Sequence, residues 1–302
     1  MKYVVLCNSK HIKSNDFKLQ NITKFVKFCK IQNNMTGTKK YDYIETFLDA
    51  IRAKGRYSFS LEELFTEFEI SHNALFQRLY HLKQKKKIAQ IRQGFYVIVP
   101  PEYTSLGTLP PDIFIDAMMK YLGKKYYVGL LSAAALHGAA HQQPTTFFVI
   151  SEFPAPRNIA NNKLKIRFFS KQIIPEDGII QKKTPSGRIN VSSPELTAFD
   201  LLDNIKQFGI NRITTILMEL YEEMLPSKLA KTAKMVDNKA NTQRLGFILE
   251  NIVGEEKLSK ALYRIISKTK FKKVLLSPLK KKTGEFNEKW KIIINEQIEP
   301  DL

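Results

Sequence analysis

The spacing of hydrophobic positions changes several times between Tyr41 and Pro100, and each change predicts an element. Tyr43, Ile44, Phe47, Leu48 and Ile51 recur at the i, i+3, i+4 interval of a helix face and stop at Lys54-Gly55, a cation in the last turn followed by a C-cap glycine. After a short extended piece at 57–59, Ser60-Leu61-Glu62-Glu63 has the form of a capping box, and Leu61, Leu64, Phe65 and Phe68 line the apolar side of a second helix. Ile70-Ser71 makes a tight turn in which Ser71 can cap, and a third helix runs from His72 to about Lys85 with Leu75, Leu79 and Leu82 facing inward. Two short apolar runs, 88–92 and 95–99, flank Gln93-Gly94 and read as a hairpin. Three helices, a tight turn between the last two, and then a hairpin form the order of a winged helix-turn-helix.

Beyond Pro100-Pro101 the chain is proline-rich and polar as far as about residue 115, which predicts a linker, with a domain boundary near 103, leading into a helix at 113–122. Small and apolar residues at 127–140 suit a closely packed helix. The run 145–151 reads as a buried strand, and Leu164, Ile166 and Phe168 alternate with Lys163, Lys165 and Arg167 as in a half-buried one. A further hairpin is expected from 178–183 and 188–191 around Pro185-Ser186-Gly187. Ser192-Ser193-Pro194-Glu195 then supplies a capping box for a helix at 196–204. Helices follow at 210–224, 227–236, 242–251 and 257–268, with strands at 274–276 and 289–295. The fold class is α+β: a winged helix-turn-helix at 41–102, followed at 103–302 by a mixed α/β domain whose second half is helical. Residues 1–40 form a poorly structured basic extension, in which Met35 is an alternative start to Met1.

Charge decides what such an arrangement is for. Over 302 residues, 48 Lys and Arg face 29 Asp and Glu, a formal net charge of +19, which favours a polyanionic partner. No acid lies between Glu69 and Glu102, whereas Arg78, Lys83, Lys85, Lys86, Lys87 and Arg92 do, so the third helix and hairpin are the cationic part. A second acid-free interval, 257–284, holds ten Lys or Arg. No apolar stretch approaches the roughly 18 residues of a membrane span, so a cytoplasmic protein without membrane contact is expected. The only cysteines, Cys7 and Cys29, lie in the extension, which excludes thiol chemistry and cysteine-bound zinc from the body.

With the three leucines buried, Asn73, Gln77, Tyr80 and Gln84 point outward on the third helix, flanked by His72, Arg78 and His81. Asn and Gln can pair bidentately with adenine and Arg with guanine, so His72, Asn73, Gln77, Arg78, Tyr80 and His81 are the expected base readers. Lys85, Lys86 and Lys87 are placed for phosphate, and Arg92 with Gln93 at the wing tip for the minor groove. Lys163, Lys165, Arg167, Lys280, Lys281 and Lys282 form a candidate second basic surface. Each of these groups could also be plain solvated surface. His137 and His141 are spaced to share a helix face and could hold zinc, but without a third ligand ordinary packing is the better reading. Glu195, Asp200 and Asp203 lack the strand-borne acid and lysine of a metal-dependent nuclease. No catalytic residue, metal or cofactor is expected, and the protein is read as non-enzymatic.

Residues 127–138 (YVGLLSAAALHG), 144–151 (PTTFFVIS), 164–169 (LKIRFF), 194–202 (PELTAFDLL), 243–246 (QRLG) and 290–295 (WKIIIN) together resemble the AbiEi-type antitoxin family of type IV toxin-antitoxin, or abortive-infection, systems. The resemblance runs from Tyr41 to the C-terminus. It implies a phage-defence antitoxin whose winged helix-turn-helix binds inverted repeats in double-stranded promoter DNA and represses its own operon. It further implies a C-terminal domain that neutralises a cognate nucleotidyltransferase-like toxin without a stable complex. A monomer in solution that binds DNA cooperatively is expected. A stand-alone winged-helix regulator with a ligand- or partner-sensing C-terminal domain is the alternative, and a nuclease targeted by a winged helix the more distant one.

Overall fold

The computed structural model describes residues 43–139 and 144–299; the expectations for residues 1–40 and for His141 lie outside them. The first helix, α1 (Ile44–Ala53), buries Ile44, Phe47, Leu48 and Ile51, the stripe its spacing predicts. Strand β1 (Ser58–Ser60) leads into α2 (Leu61–Glu67), where the Ser60 hydroxyl accepts from the Glu63 amide at 3.1 Å. The reciprocal half of the capping box is absent, because the Glu63 carboxylate instead takes both arms of the Arg56 guanidinium. Helix α3 (His72–Gln84) follows, and then β2 (Ile88–Arg92) and β3 (Phe95–Ile98). Strand β3 lies between β1 and β2, antiparallel to both.

The stretch expected to be a linker is ordered and partly buried. A 3-10 turn spans Pro101–Tyr103, Leu109 is fully buried, and α4 (Pro111–Tyr121) starts on its prolines. Next come β4 (Tyr126–Val128), α5 (Leu130–Leu136), β5 (Phe147–Glu152), β6 (Ile159–Ala160), β7 (Lys165–Lys171), β8 (Ile179–Thr184) and β9 (Gly187–Ser192). They build a six-stranded mixed sheet in the order β6-β7-β5-β4-β9-β8. The single helix expected over 127–140 is corrected to strand, turn and short helix. Tyr126, Tyr127 and Val128 pair antiparallel with β5, Val128 also pairs parallel with Val191 of β9, and a strand buried on both faces has no polar alternation to betray it. The turn at Gly129 packs closely on β5, since a Cβ there would lie 2.8 Å from the Ile150 Cδ1.

The helical half comprises α6 (Pro194–Asp203), α7 (Ile205–Phe208), α8 (Ile210–Leu220), α9 (Pro226–Val236), α10 (Lys239–Ile248) and α11 (Glu256–Ile266). The cap of α6 is Ser193, whose hydroxyl accepts from the Leu196 amide at 3.3 Å; Glu195 turns inward and accepts from the Leu225 amide at 3.0 Å. A small sheet ends the chain: β10 (Val274–Leu275), β11 (Glu285–Asn287), which the pattern did not reveal, and β12 (Ile292–Ile294). It is anchored by Trp290, fully buried, whose indole N–H donates to Glu250 Oε2 at 2.6 Å. The ring fills space that only Gly246 on α10 leaves open, for a Cβ there would lie 2.1 Å from it.

Strand alternation divides the interior in two. Tyr127, Phe148 and Ile150 join the core that α6 and the later helices build, which includes Trp290. Their neighbours Tyr126, Val128 and Val149, with Ile166, Ile189 and Val191, face the other way, into a core shared with α4 and with Phe95 and Val97 of β3. The hairpin of the first region is therefore part of the cover of the second region's sheet. Phe95→Ala should cost about 3–5 kcal/mol. Because Trp290 is the only tryptophan, its fluorescence reports unfolding from the far core. The midpoint read at Trp290 should fall together with that read by circular dichroism; an unmoved Trp290 midpoint would mean that the two regions melt independently.

Candidate nucleic-acid interface

The Ser71 hydroxyl accepts from the Ala74 amide at 3.3 Å, which starts α3 immediately after the turn from α2. Leu75, Leu79 and Leu82 are buried, and this fixes the rotation of the helix so that His72, Asn73, Gln77, Arg78, Tyr80 and His81 are all exposed. One large apolar side chain on this helix, Phe76, for which the spacing gave no expectation, is 47 % exposed. At the C-terminal end Lys86 takes a left-handed φ of 54°, the Lys87 amide donates back to the Leu82 carbonyl, and Lys85, Lys86 and Lys87 are exposed on one tight turn. The Lys83 ammonium reaches Gln90 on β2 at 3.4 Å, linking helix to hairpin.

The hairpin tip departs from expectation. Arg92 does not project from the hairpin: its guanidinium donates to the Arg157 carbonyl and lies over the Phe168 ring, 5.4 Å from the centroid. Burial there holds its pKa below the usual arginine value, and its Nε has no hydrogen-bond partner among the described residues. The Gln93 side chain is exposed, but its carbonyl accepts from the Tyr121 hydroxyl at 3.3 Å, which ties the turn to α4. Entry of Arg92 into a minor groove would require breaking these contacts, and nothing in its own sequence neighbourhood announced partners 65 and 76 residues away.

On the second region Lys163, Lys165 and Arg167 are exposed. Lys163, with Asn161 and Asn162, lines an open cleft whose other side is Gln90 and Ile91 of β2, so it adjoins the hairpin. Arg167 is engaged, donating to Gln207 at 3.0 Å and lying over Phe169. Lys280, Lys281 and Lys282 are exposed on the connection between β10 and β11, where Lys280 is 3.9 Å from Glu296. They belong to the small terminal sheet and not to the cleft beside the hairpin.

The structure does bring a strand-borne lysine to the acids of α6, which the sequence pattern did not reveal. Lys171 on β7 lies 2.6 Å from Asp200, and the Tyr127 hydroxyl donates to the other Asp200 oxygen at 2.9 Å. Burial pushes the Asp200 carboxyl up, against the opposing pull of Lys171 and Tyr127. Asp203 accepts from Asn238 and Asn241. Both carboxylates are thus occupied within the fold, and no group of three or more metal-ligating side chains forms among the described residues. No helix among them is long and apolar enough to cross a membrane.

Residues 127–251 match the family model of the AbiEi antitoxin C-terminal domain, so the resemblance carried by the second-region motifs holds over this span. No curated protein matches the chain. Among solved structures, the RV2827C protein from Mycobacterium tuberculosis is similar in fold, with a TM-score of 0.61 over 82% of this chain and 90% of that one at 12% identity. An antigenic nucleotidyltransferase-like protein from Paracoccidioides brasiliensis aligns with 49% of this chain and 88% of its own, at 14% identity and a TM-score of 0.31, too low to indicate a common fold.

His137, weighed above as a zinc ligand, is half-buried with its Nε2 2.7 Å from the Ser192 carbonyl, to which the ring N–H donates. Burial holds its pKa below the usual histidine value, partly opposed by that carbonyl. The folded state therefore keeps the ring neutral at pH values where the unfolded chain already binds a proton. Stability should fall as pH drops below about 6.5. Denaturant unfolding between pH 5 and 7.5 should show a shallower loss for His137→Gln than for the wild type; equal slopes would place the titrating group elsewhere.

Proposed function

We propose, from the AbiEi antitoxin C-terminal domain at residues 127–251, that the chain is the antitoxin of a type IV toxin-antitoxin system and the autorepressor of its own operon. In this reading 41–102 is a winged helix-turn-helix, α3 lies in the major groove of inverted repeats in the promoter, and Lys85, Lys86 and Lys87 hold the phosphate backbone. The chain is a monomer that occupies two half-sites cooperatively. Its C-terminal domain counteracts a nucleotidyltransferase-like toxin without a stable complex, and the protein catalyses no reaction. Lys163, beside the hairpin, takes the place on the DNA that the docked Arg92 leaves vacant.

The observation that carries the DNA-binding half is the α3 face: Asn73 and Gln77, both exposed, can reach base edges, while no acid occurs from 70 to 101 to repel the backbone. Titration of the full chain onto its own upstream promoter and a scrambled duplex, at several salt concentrations, tests it. The promoter should be preferred by about a thousandfold or more. The Asn73→Ala, Gln77→Ala double variant should lose most of that preference and keep the salt slope, whereas each Lys→Ala change at 85–87 should lower the slope by about one. Equal binding of promoter and scramble would reduce the basic face to a non-specific footprint and end the repressor reading.

A further inference from the structure

The polar face of α3 carries one large apolar side chain that its own helix does not need. Phe76 is 47 % exposed, three residues beyond Asn73 and four before Tyr80, which is 55 % exposed. It is held from one side: the His72 ring lies between Phe65, at 4.2 Å, and Phe76, at 6.4 Å between centroids. An aromatic ring so placed loses its favourable burial unless something covers it. The surroundings indicate what does. Interfaces between proteins are poor in lysine, yet the exposed side chains of this helix and of the turn that ends it include Arg78, Lys83, Lys85, Lys86 and Lys87. The complementary surface is a polyanion, and the apolar group that a base pair offers in the major groove is the C5-methyl of thymine.

Resting on the promoter-binding reading, we propose that Phe76 selects thymine through its C5-methyl group, next to the adenine read by Asn73. The two side chains are one helical turn apart, about 5–6 Å between Cβ atoms, so they reach the same or adjacent base pairs. Each half-site then carries an A·T pair under the first half of α3, and Phe76 is a specificity determinant that contributes no phosphate contact.

The test compares the full chain on its promoter duplex, on the same duplex with deoxyuridine replacing thymidine in the half-sites, and on a scrambled duplex. Removing one contacted methyl should weaken wild-type binding about fourfold, and about fifteenfold when both half-sites are occupied. Phe76→Ala should bind the thymine promoter about tenfold more weakly than wild type and no longer distinguish it from the uracil one, at an unchanged salt slope. Phe76→Leu, which keeps an apolar contact, should retain most of the discrimination. The position is exposed, and an unaltered melting curve for both variants excludes a folding defect. A wild type indifferent to uracil overturns the proposal, as does a Phe76→Ala variant that keeps the full uracil penalty. If that variant instead changes self-association in sedimentation while keeping the penalty, the ring is a protein contact and the proposal fails. A wild type that binds promoter and scramble alike ends the promoter reading itself and this inference with it, an outcome the scrambled duplex separates from the others.

Discussion

The six-stranded sheet has apolar side chains on both faces, and the rest of the molecule is arranged to keep both dry. Tyr127 and Ile150 point into the helical core, and Val128 and Val149 into the opposite one. The helices after Pro194 supply enough apolar surface for the first face. The second is covered by α4 and by Phe95 and Val97 from the hairpin, so a module that could have been a tethered accessory is part of the interior. Burial of this kind contributes on the order of 1.5–3 kcal/mol per large side chain, well beyond what a surface ion pair such as Lys120–Asp116 supplies.

That constraint shapes the candidate surface. With the hairpin tip tied down by Tyr121, Phe168 and the Arg157 carbonyl, α3 and the 85–87 turn stand out as free cationic features of the first region, and Lys163 is held beside β2 by the same packing. The region that carries α3 and the region that matches the AbiEi antitoxin C-terminal domain are therefore joined through a common core.

What was legible in the sequence follows the range of the interaction. The leucine spacing of α3, the caps at Ser60 and Ser71, and the hairpin around Gly94 are local devices, and each lies where its pattern put it. The outward face of α3 came with them, although the exposed Phe76 formed no part of that expectation. Strand β4 was misread because a strand covered on both sides looks like any apolar run. The packing of Arg92 was hidden because a hairpin-tip cation reads as exposed until the surface it packs on is known. Lys171 beside Asp200 and the split of the sheet between two cores join residues too distant in the chain for any spacing to register. The motifs of the second region led to the AbiEi antitoxin C-terminal domain by likeness and not by physics.

The central claim is that α3 carries the nucleic-acid face while the wing stays docked. Amide hydrogen exchange of the full chain with and without its own promoter duplex addresses it directly. The account predicts added protection in α3 and at residues 85–87, with the amides of 92–94 unchanged because their packing is already complete. New protection or opening at 92–94 with α3 unaffected would contradict it, since the wing would then have left the sheet to become the reading element.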